Sequence, residues 1–239
     1  MTNLWDIHNH ILPGVDDGSS CMEETEVLME LEYEQGVRNV VLTPHCREGM
    51  FEVSSEDRLE IYKDTVRVIS QSFPDMNIYL GCEMYMTEKS LKLLDNPVNR
   101  MNGSMVVLME FDYGVEFSLM LKFISSVLAR NFKPIIAHAE RYDCLKGGSH
   151  NLDKLRDMGC YIQVNADAVI GRNGFKTKFL VAGWLKEGKV DLVASDAHSV
   201  KGRTVRLKKA YDNICKRCGA EVAKQLFQTN ASALFGRNK

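Results

Sequence analysis

The stretch Asp6-Ile7-His8-Asn9-His10-Ile11-Leu12-Pro13-Gly14-Val15-Asp16-Asp17-Gly18 decides how this chain is read. It follows one short apolar strand pattern and packs two histidines and two aspartates into a turn rich in Gly and Pro. Side chains on an extended segment repeat every two residues, so His8 and His10 point the same way and can share a metal ion. Asp17, after a tight turn through Pro13 and Gly14, can come back towards the same place, with Asp16 its more expendable neighbour. An isolated His-x-His is more often a strand with two surface histidines than a ligand pair. The other strand ends of the chain tip that balance.

Working outward, apolar runs alternate with helical periodicity about seven times. Strands are expected at Leu4–Ile7, Asn39–Leu42, Ile78–Leu80, Ser104–Met109, Pro134–Ala137, Tyr161–Asn165 and Val190–Ala194. Between them, Ser20 and Glu23 make a capping box for a helix reaching Gln35, with Val27, Leu28 and Leu31 on its buried face. A polar helix covers about Ser55–Ser72, and a short one Thr87–Leu94. Ser118 caps a helix reaching Asn131, and Leu152, Leu155 and Met158 mark a short one stopped by Gly159. A helix over Lys176–Glu187 places Phe179, Leu180, Gly183 and Trp184 on one face. Two more helices close the chain, striped by Leu207, Tyr211, Ile214 and Cys218, then by Val222, Ala223, Leu226 and Phe227. Several strands are continuous apolar runs, as in a parallel sheet buried on both faces. No linker or low-complexity tract divides the chain, so one domain over residues 1–239 is expected. Seven units lie near the eight of a closed barrel, which favours a barrel over an open sheet.

The strand ends are the telling feature. They carry His8 and His10, then His45, Glu83, Glu110, His138, and finally Asp196 and His198. Five of the six histidines in the chain are among them. In a parallel α/β barrel these ends converge on one rim, where the site is built; chance would scatter the residues over helix surfaces. Imidazole and carboxylate ligands suit zinc, manganese or iron. With Asp17 the set exceeds what one ion can bind, which implies two or three. Four carboxylates against three divalent ions leave the centre cationic, suited to a phosphate dianion, and clustered metals make hydroxide available near neutral pH. Arg141 and Arg203 stand just past strand ends, where guanidinium can grip phosphate oxygens with its planar fork; Arg47 is a weaker candidate of the same kind. His150 lies in a Gly-Gly-Ser-His loop and is read as a surface residue.

Composition bounds the alternatives. The 239 residues carry 30 basic and 32 acidic side chains, so no basic excess points to nucleic acid. No leader pattern or membrane-length apolar run is present, and seven cysteines cannot all pair internally. A cytoplasmic protein with reduced thiols and no membrane insertion is expected. Cys215-Lys-Arg-Cys218 has no second pair and is read as structural. None of the cysteines has Arg six residues later, which excludes a Cys-x5-Arg phosphatase.

Several segments together resemble the polymerase-and-histidinol-phosphatase (PHP) superfamily, and within it the bacterial protein-tyrosine phosphatases of capsular and exopolysaccharide operons. They are Asp6 to Gly18, Leu42-Thr-Pro-His45, Gly81-Cys-Glu-Met-Tyr85, Pro134 to Tyr142, Gln163-Val-Asn165, and Ser195-Asp-Ala-His198 with Arg203. They run in order over nearly the whole chain. Ala139 stands where the family usually has Pro, and the Cys46–Phe51 loop departs at the rim of the pocket.

The resemblance implies a distorted seven-stranded (β/α) barrel and a trinuclear centre, most often manganese, with iron or zinc as alternatives. By position, His8, His10, Glu83 and Asp196 would hold the first ion. Glu83, bridging, would hold the second with Glu110 and His138, and Asp17, His45 and His198 the third. Arg141 and Arg203 would grip phosphate. The implied activity is hydrolysis of phosphotyrosine: a metal-bridging hydroxide attacks phosphorus in line, and an ion or a nearby acid such as Asp17 or His45 assists the leaving phenolate. Phe51, Tyr85, Phe111 and Tyr113 either flank the substrate ring or pack loops. The implied partner is an autophosphorylating bacterial tyrosine kinase. Two rivals stay open: a small-molecule phosphoesterase of the histidinol-phosphatase type, and a catalytically silent metal-binding regulatory module. A nucleic-acid hydrolase is weakest.

Overall fold

The structure, a computed structural model, describes residues 3–51 and 53–236. Strands and helices alternate as expected. The first half runs β1 (Leu4–Asp6), α1 (Met22–Glu34), β2 (Val37–Leu42), β3 (His45–Cys46), α2 (Ser55–Ser72), β4 (Asn77–Leu80), β5 (Glu83–Tyr85), α3 (Ser90–Leu93) and β6 (Val106–Glu110). The second half runs α4 (Phe117–Leu128), β7 (Lys133–Ile136), α5 (Asp143–Lys146), α6 (His150–Asp157), β8 (Tyr161–Asn165), α7 (Ala166–Ile170), α8 (Phe175–Lys186) and β9 (Leu192–Ala194). It closes with α9 (Leu207–Cys218), α10 (Ala220–Lys224), a π-turn at Gln225–Thr229 and α11 (Asn230–Phe235).

All strand pairings are parallel, and they form two sheets, β1-β2-β4 and β3-β5-β6-β7-β8-β9. The expected seven strands are therefore nine among the described residues, because two runs are broken. Thr43-Pro44 separates β2 from β3, and Gly81-Cys82 separates β4 from β5. Pro44 has no N–H for the ladder, which accounts for the first break. Backbone bonds run across both interruptions: Gly81 N–H donates to Leu42 O at 2.8 Å and Glu83 N–H to Pro44 O at 3.0 Å. At the other side, Asp196 N–H donates to His8 O and His10 N–H to Ala197 O, both at 2.8 Å, linking the chain after β1 to the chain after β9.

Two apolar clusters lie on opposite faces of the strands. Val106 and Leu108 fall in one with Trp5, Ile7, Val41, Ile135, Ala137, Leu192 and Ala194. The intervening Val107 and Met109 fall in the other, with the helices. This is the period-two alternation of a sheet covered on both sides. Ala231 and Phe235 of α11 join the first cluster, where Phe235 tilts against Trp5 at 6.0 Å and Trp5 stacks on Tyr79 at 5.6 Å. The π-turn before α11 leaves both Leu226 and Phe227 buried. No helix among the described residues is long and apolar enough to cross a membrane.

Local expectations fail where one residue of register matters. The cap of α1 is Cys21, and the hydroxyl and amide of Ser20 donate to Glu24, not Glu23. Helix α1 buries Thr25, Leu28, Met29 and Glu32 and turns Val27 outward. Ser118 lies inside α4, whose N-cap is Glu116; its far end turns off through Asn131 at φ 62°. Helix α8 buries Val181, Trp184 and Leu185, while Phe179 is 72% exposed. The apolar stripe of that helix is wider than the face its neighbours cover.

Candidate metal centre

All nine side chains expected to bind metal meet in one place. His8, His10, Glu83, His138, Asp196 and His198 are buried, His45 is partly covered, and Asp17 stands at the mouth with its side chain about half exposed. Glu83 lies at the middle. Its Oε1 is 3.2 Å from His8 Nε2 and 2.7 Å from His138 Nε2; its Oε2 is 3.3 Å from His10 Nε2 and 3.1 Å from His45 Nδ1. Asp196 Oδ1 lies 3.7 Å from His8 Nε2 and 3.6 Å from His10 Nε2. Glu110 reaches His45 Nδ1 at 3.5 Å and His138 Nε2 at 3.7 Å, and Asp17 reaches the Nε2 atoms of His45 and His198 at 3.5 and 3.7 Å.

Four overlapping groups have donor atoms within 4.8 Å of one another: His8-His10-Asp196, His8-Glu83-His138, His45-Glu83-Glu110 and His10-Asp17-His45-His198. The Nε2 atoms of His8, His10 and His198, Nδ1 of His45, both Glu83 oxygens and Oε2 of Glu110 are buried without a hydrogen-bond partner. Such groups are costly to bury unpaired. Here they crowd together without hydrogen-bonding one another, and the donor chemistry suits divalent cations.

The electrostatics agree with the crowding. Burial opposes charge on Glu83, but His8 and His138 outweigh it and hold the carboxyl well below its ordinary range. Asp196 is held low in the same way, burial being overcome by Arg141, His8 and Arg203. His8 is pushed up to about 9 and His45 to about 11, because carboxylates overcome the burial that alone would lower them. His198 falls to about 2 through burial and then repulsion from His10, its ring 3.8 Å away.

Two of these residues have unusual backbones. His138 has φ 33° and Asp196 has φ 52°, left-handed values that cost a residue with a Cβ. The surroundings enforce them. His138 N–H donates to Gln163 Oε1 at 2.7 Å, and Asp196 accepts from Arg141 Nη2 at 2.6 Å, Asn165 Nδ2 at 2.7 Å and Arg203 Nη2 at 2.8 Å. Both expected phosphate-binding arginines therefore converge on one carboxylate at the rim. Arg141 also donates to Tyr113 Oη at 3.3 Å.

The sequence placed the supporting residues Gln163, Asn165, Asp6 and Ser195 only within segments of resemblance and gave them no role of their own. Gln163 and Asn165 end β8, the one expected strand without a His, Asp or Glu at its tip. Their spacing of two is the available signal, since it puts both on one side. Gln163 Oε1 also accepts from His8 Nδ1 at 3.0 Å. Asp6 accepts from the amide and hydroxyl of Ser195 at 2.9 and 2.6 Å, which fixes the turn into Asp196. Asp16, read as expendable, accepts from His10 Nδ1 at 2.7 Å and from the amides of His45 and Gly18 at 2.8 and 2.9 Å.

Of the four aromatics, Phe111 is buried and not at the rim. Phe51 stacks on His45 at 5.2 Å with planes 2° apart, Tyr113 is exposed with its ring edge-on to His138, and Tyr85 donates to Asp112 beneath the Arg47 guanidinium. His150 is exposed at the start of α6, away from the cluster. The seven cysteines are free. A separate cavity of about 340 Å³ between α8 and α9 contains none of the site residues.

Comparison with known proteins shows what the chain is similar to. The family described as capsular polysaccharide synthesis, CpsB/CapC, matches residues 4–236. The tyrosine-protein phosphatase CpsB of Streptococcus pneumoniae is 36% identical over 231 residues, covering 94% of this chain and 95% of that one. A solved structure from work on YwqE of Bacillus subtilis and CpsB of Streptococcus pneumoniae, described as unique metal-dependent tyrosine phosphatases, superposes with a TM-score of 0.88 at 25% identity, covering 99% of this chain and 96% of that one. The phosphotriesterase homology protein of Escherichia coli shares the fold alone, with a TM-score of 0.63 at 14% identity, covering 98% and 99%.

Proposed function

Because the chain belongs to the CpsB/CapC capsular polysaccharide synthesis family, we propose that it is a metal-dependent protein-tyrosine phosphatase, a phosphoric monoester hydrolase. The observation that carries this reading is the knot of unpaired buried donors around Glu83, with two arginines at its edge. We read residues 1–239 as one phosphatase domain, a distorted barrel with seven strand positions. Joining β2 to β3 and β4 to β5 gives the seven, and the hydrogen bonds between the chain after β1 and the chain after β9 support closure.

The nine donors would hold three divalent ions. His8, His10, Glu83 and Asp196 would take the first, Glu83, Glu110 and His138 the second, and Asp17, His45 and His198 the third. A donor set of imidazole and carboxylate with no thiolate suits manganese, iron or zinc, and the family resemblance is what favours manganese among them. When bound, the ions supply Lewis-acid stabilisation and a nucleophile from water near neutral pH. The chain supplies positioning. Each guanidinium has five N–H donors, and Asp196 and Tyr113 use only some of them; the rest are available to phosphate oxygens at the rim. Asp196 thereby orients both arginines before substrate arrives. Phe51 and Tyr113 flank the mouth where a phenyl ring would enter. The leaving phenol has a pKa of about 10, and its departure would be assisted at the mouth by the ion that Asp17, His45 and His198 would hold, or by Asp17 or His45 acting as a nearby acid where it is free of metal. The substrate class is a phosphotyrosine-bearing protein, with an autophosphorylating bacterial tyrosine kinase the implied partner and the cytoplasm the implied site.

The test is turnover of a phosphotyrosine peptide by manganese-loaded protein, beside histidinol phosphate and a phosphoserine peptide. Hydrolysis of the phosphotyrosine peptide, abolished by chelation, is expected. Preference for histidinol phosphate, or no turnover after metal loading, would overturn the reading.

A further inference from the structure

Beside the centre, a cavity of about 230 Å³ opens between the chain after β3 and the start of α2. Its walls include His45, Phe51, Ser55, Arg58 and Asn99, so His45 belongs to both the cavity and the centre. Arg58 is 3% exposed. Among the described residues, no carboxylate forms an ion pair with it; one Nη2 donor goes to Asn99 Oδ1, and its Nε is buried with no partner. Arginine stays ionised, and a buried cation is ordinarily paired. A helix start also lines the wall. Ser54 and Ser55 form the N-terminal end of an 18-residue helix, where backbone N–H groups and the helix dipole favour anions. Among the described residues Glu48 is the acid lining the cavity, and it is engaged by Lys89 Nζ at 2.8 Å.

We propose that this cavity is a specificity subsite in which Arg58 receives a carboxylate side chain of the substrate peptide, close in sequence to the phosphotyrosine. The inference rests on the phosphatase reading above. An extended peptide advances about 3.3–3.6 Å per residue, and the shared His45 wall keeps the two positions within a few residues. A planar guanidinium suits a carboxylate, which it can bind with two parallel N–H donors.

The experiment uses manganese-loaded full-length protein and phosphotyrosine peptides carrying Glu or Gln at each of the two positions on either side of the phosphotyrosine. At one position, Glu should raise kcat/KM about tenfold or more over Gln, the scale of a charge-assisted hydrogen bond. In Arg58→Gln that ratio should fall towards one. Arg58→Lys, which keeps the charge but loses the fork, should give an intermediate ratio and serves if the glutamine variant does not fold, as judged by thermal unfolding. Turnover of the Gln peptides reports on the phosphatase reading by itself. Equal kcat/KM for Glu and Gln peptides at every position would overturn the subsite while leaving that reading intact.

Discussion

Asp16 Oδ2 accepts a hydrogen bond from Nδ1 of His10 at 2.7 Å, and this contact decides which nitrogen of His10 faces the centre. A carboxylate can only accept, so Nδ1 carries the proton and Nε2 presents its lone pair to the cluster. Burial opposes the charge on Asp16, but His10 and the amides of His45 and Gly18 hold its carboxyl at about 2. One side chain thus sets the tautomer of one candidate ligand and the backbone position of another. Asp16→Ala should weaken metal binding by about 10- to 100-fold, as losing the hydrogen-bond partner of a metal-bound histidine does elsewhere. Competition titration with a metal-sensitive dye would measure it; unchanged affinity would return Asp16 to the expendable role.

Gly18 packs directly against His10. A Cβ built there would lie 2.0 Å from His10 O and 2.5 Å from its Cβ, with backbone that cannot swing away. The same turn is tied by Ser19 N–H to His10 O at 2.9 Å and Gly14 N–H to Ser19 O at 2.8 Å. Gly18→Ala should cost at least the roughly 1–3 kcal/mol of an overpacked core. That is a fall in Tm of several degrees for a chain of this size, at about 2–4 °C per kcal/mol. Gly49→Ala, where nothing lies within 4 Å of the added carbon although φ is +77°, is the control for backbone strain alone.

His8 supplies a pH signature. Burial alone would lower its pKa, but Glu83 and Asp196 raise it from 6.5 to about 9. Its Nε2 is therefore protonated at neutral pH in chelated protein, and a metal must displace that proton. Calorimetry at pH 7.5 in buffers of different ionisation enthalpy should show protons released on manganese binding. The raised pKa also fixes the sign for stability. The contribution of His8 in chelated protein is fully present below pH 6.5 and lost as pH rises through about 9. Chelated protein should lose Tm across that window and metal-loaded protein should not. Metal uptake without proton release would refute the assignment of Nε2.

Arg203 contacts Asp196 through one Nη2 donor and is otherwise more open than Arg141. Arg203→Ala should lower kcat about 10²- to 10³-fold, the loss seen when one stabilising donor is removed, while metal stoichiometry is retained. Elemental analysis beside steady-state kinetics separates the two effects; wild-type kinetics would take Arg203 out of the site.

The alternation of strands and helices, the parallel pairing, the eight polar residues at strand ends and Asp17 in the loop after the first were legible in the sequence. Each is a local matter of period or residue type, and each survives in the fold. What the sequence could not carry was anything set by an approach between distant segments. Gln163 reaching His8 across 155 positions, and Asp6 fixing Ser195 across 189, have no sequence period to announce them. Nor does the composition of the Val53–Arg58 segment reveal a buried cation beside His45. The outward turn of Phe179 and Val27 belongs to the same class, because a helix face is buried only where a neighbour covers it. By itself the sequence determined which residues stand at strand ends. Tertiary structure alone decided that Glu83 sits between four imidazoles, that Asp196 anchors two arginines, and that Asp16 accepts from both the His10 ring and the His45 amide, because hydrogen bonds and charge act through space.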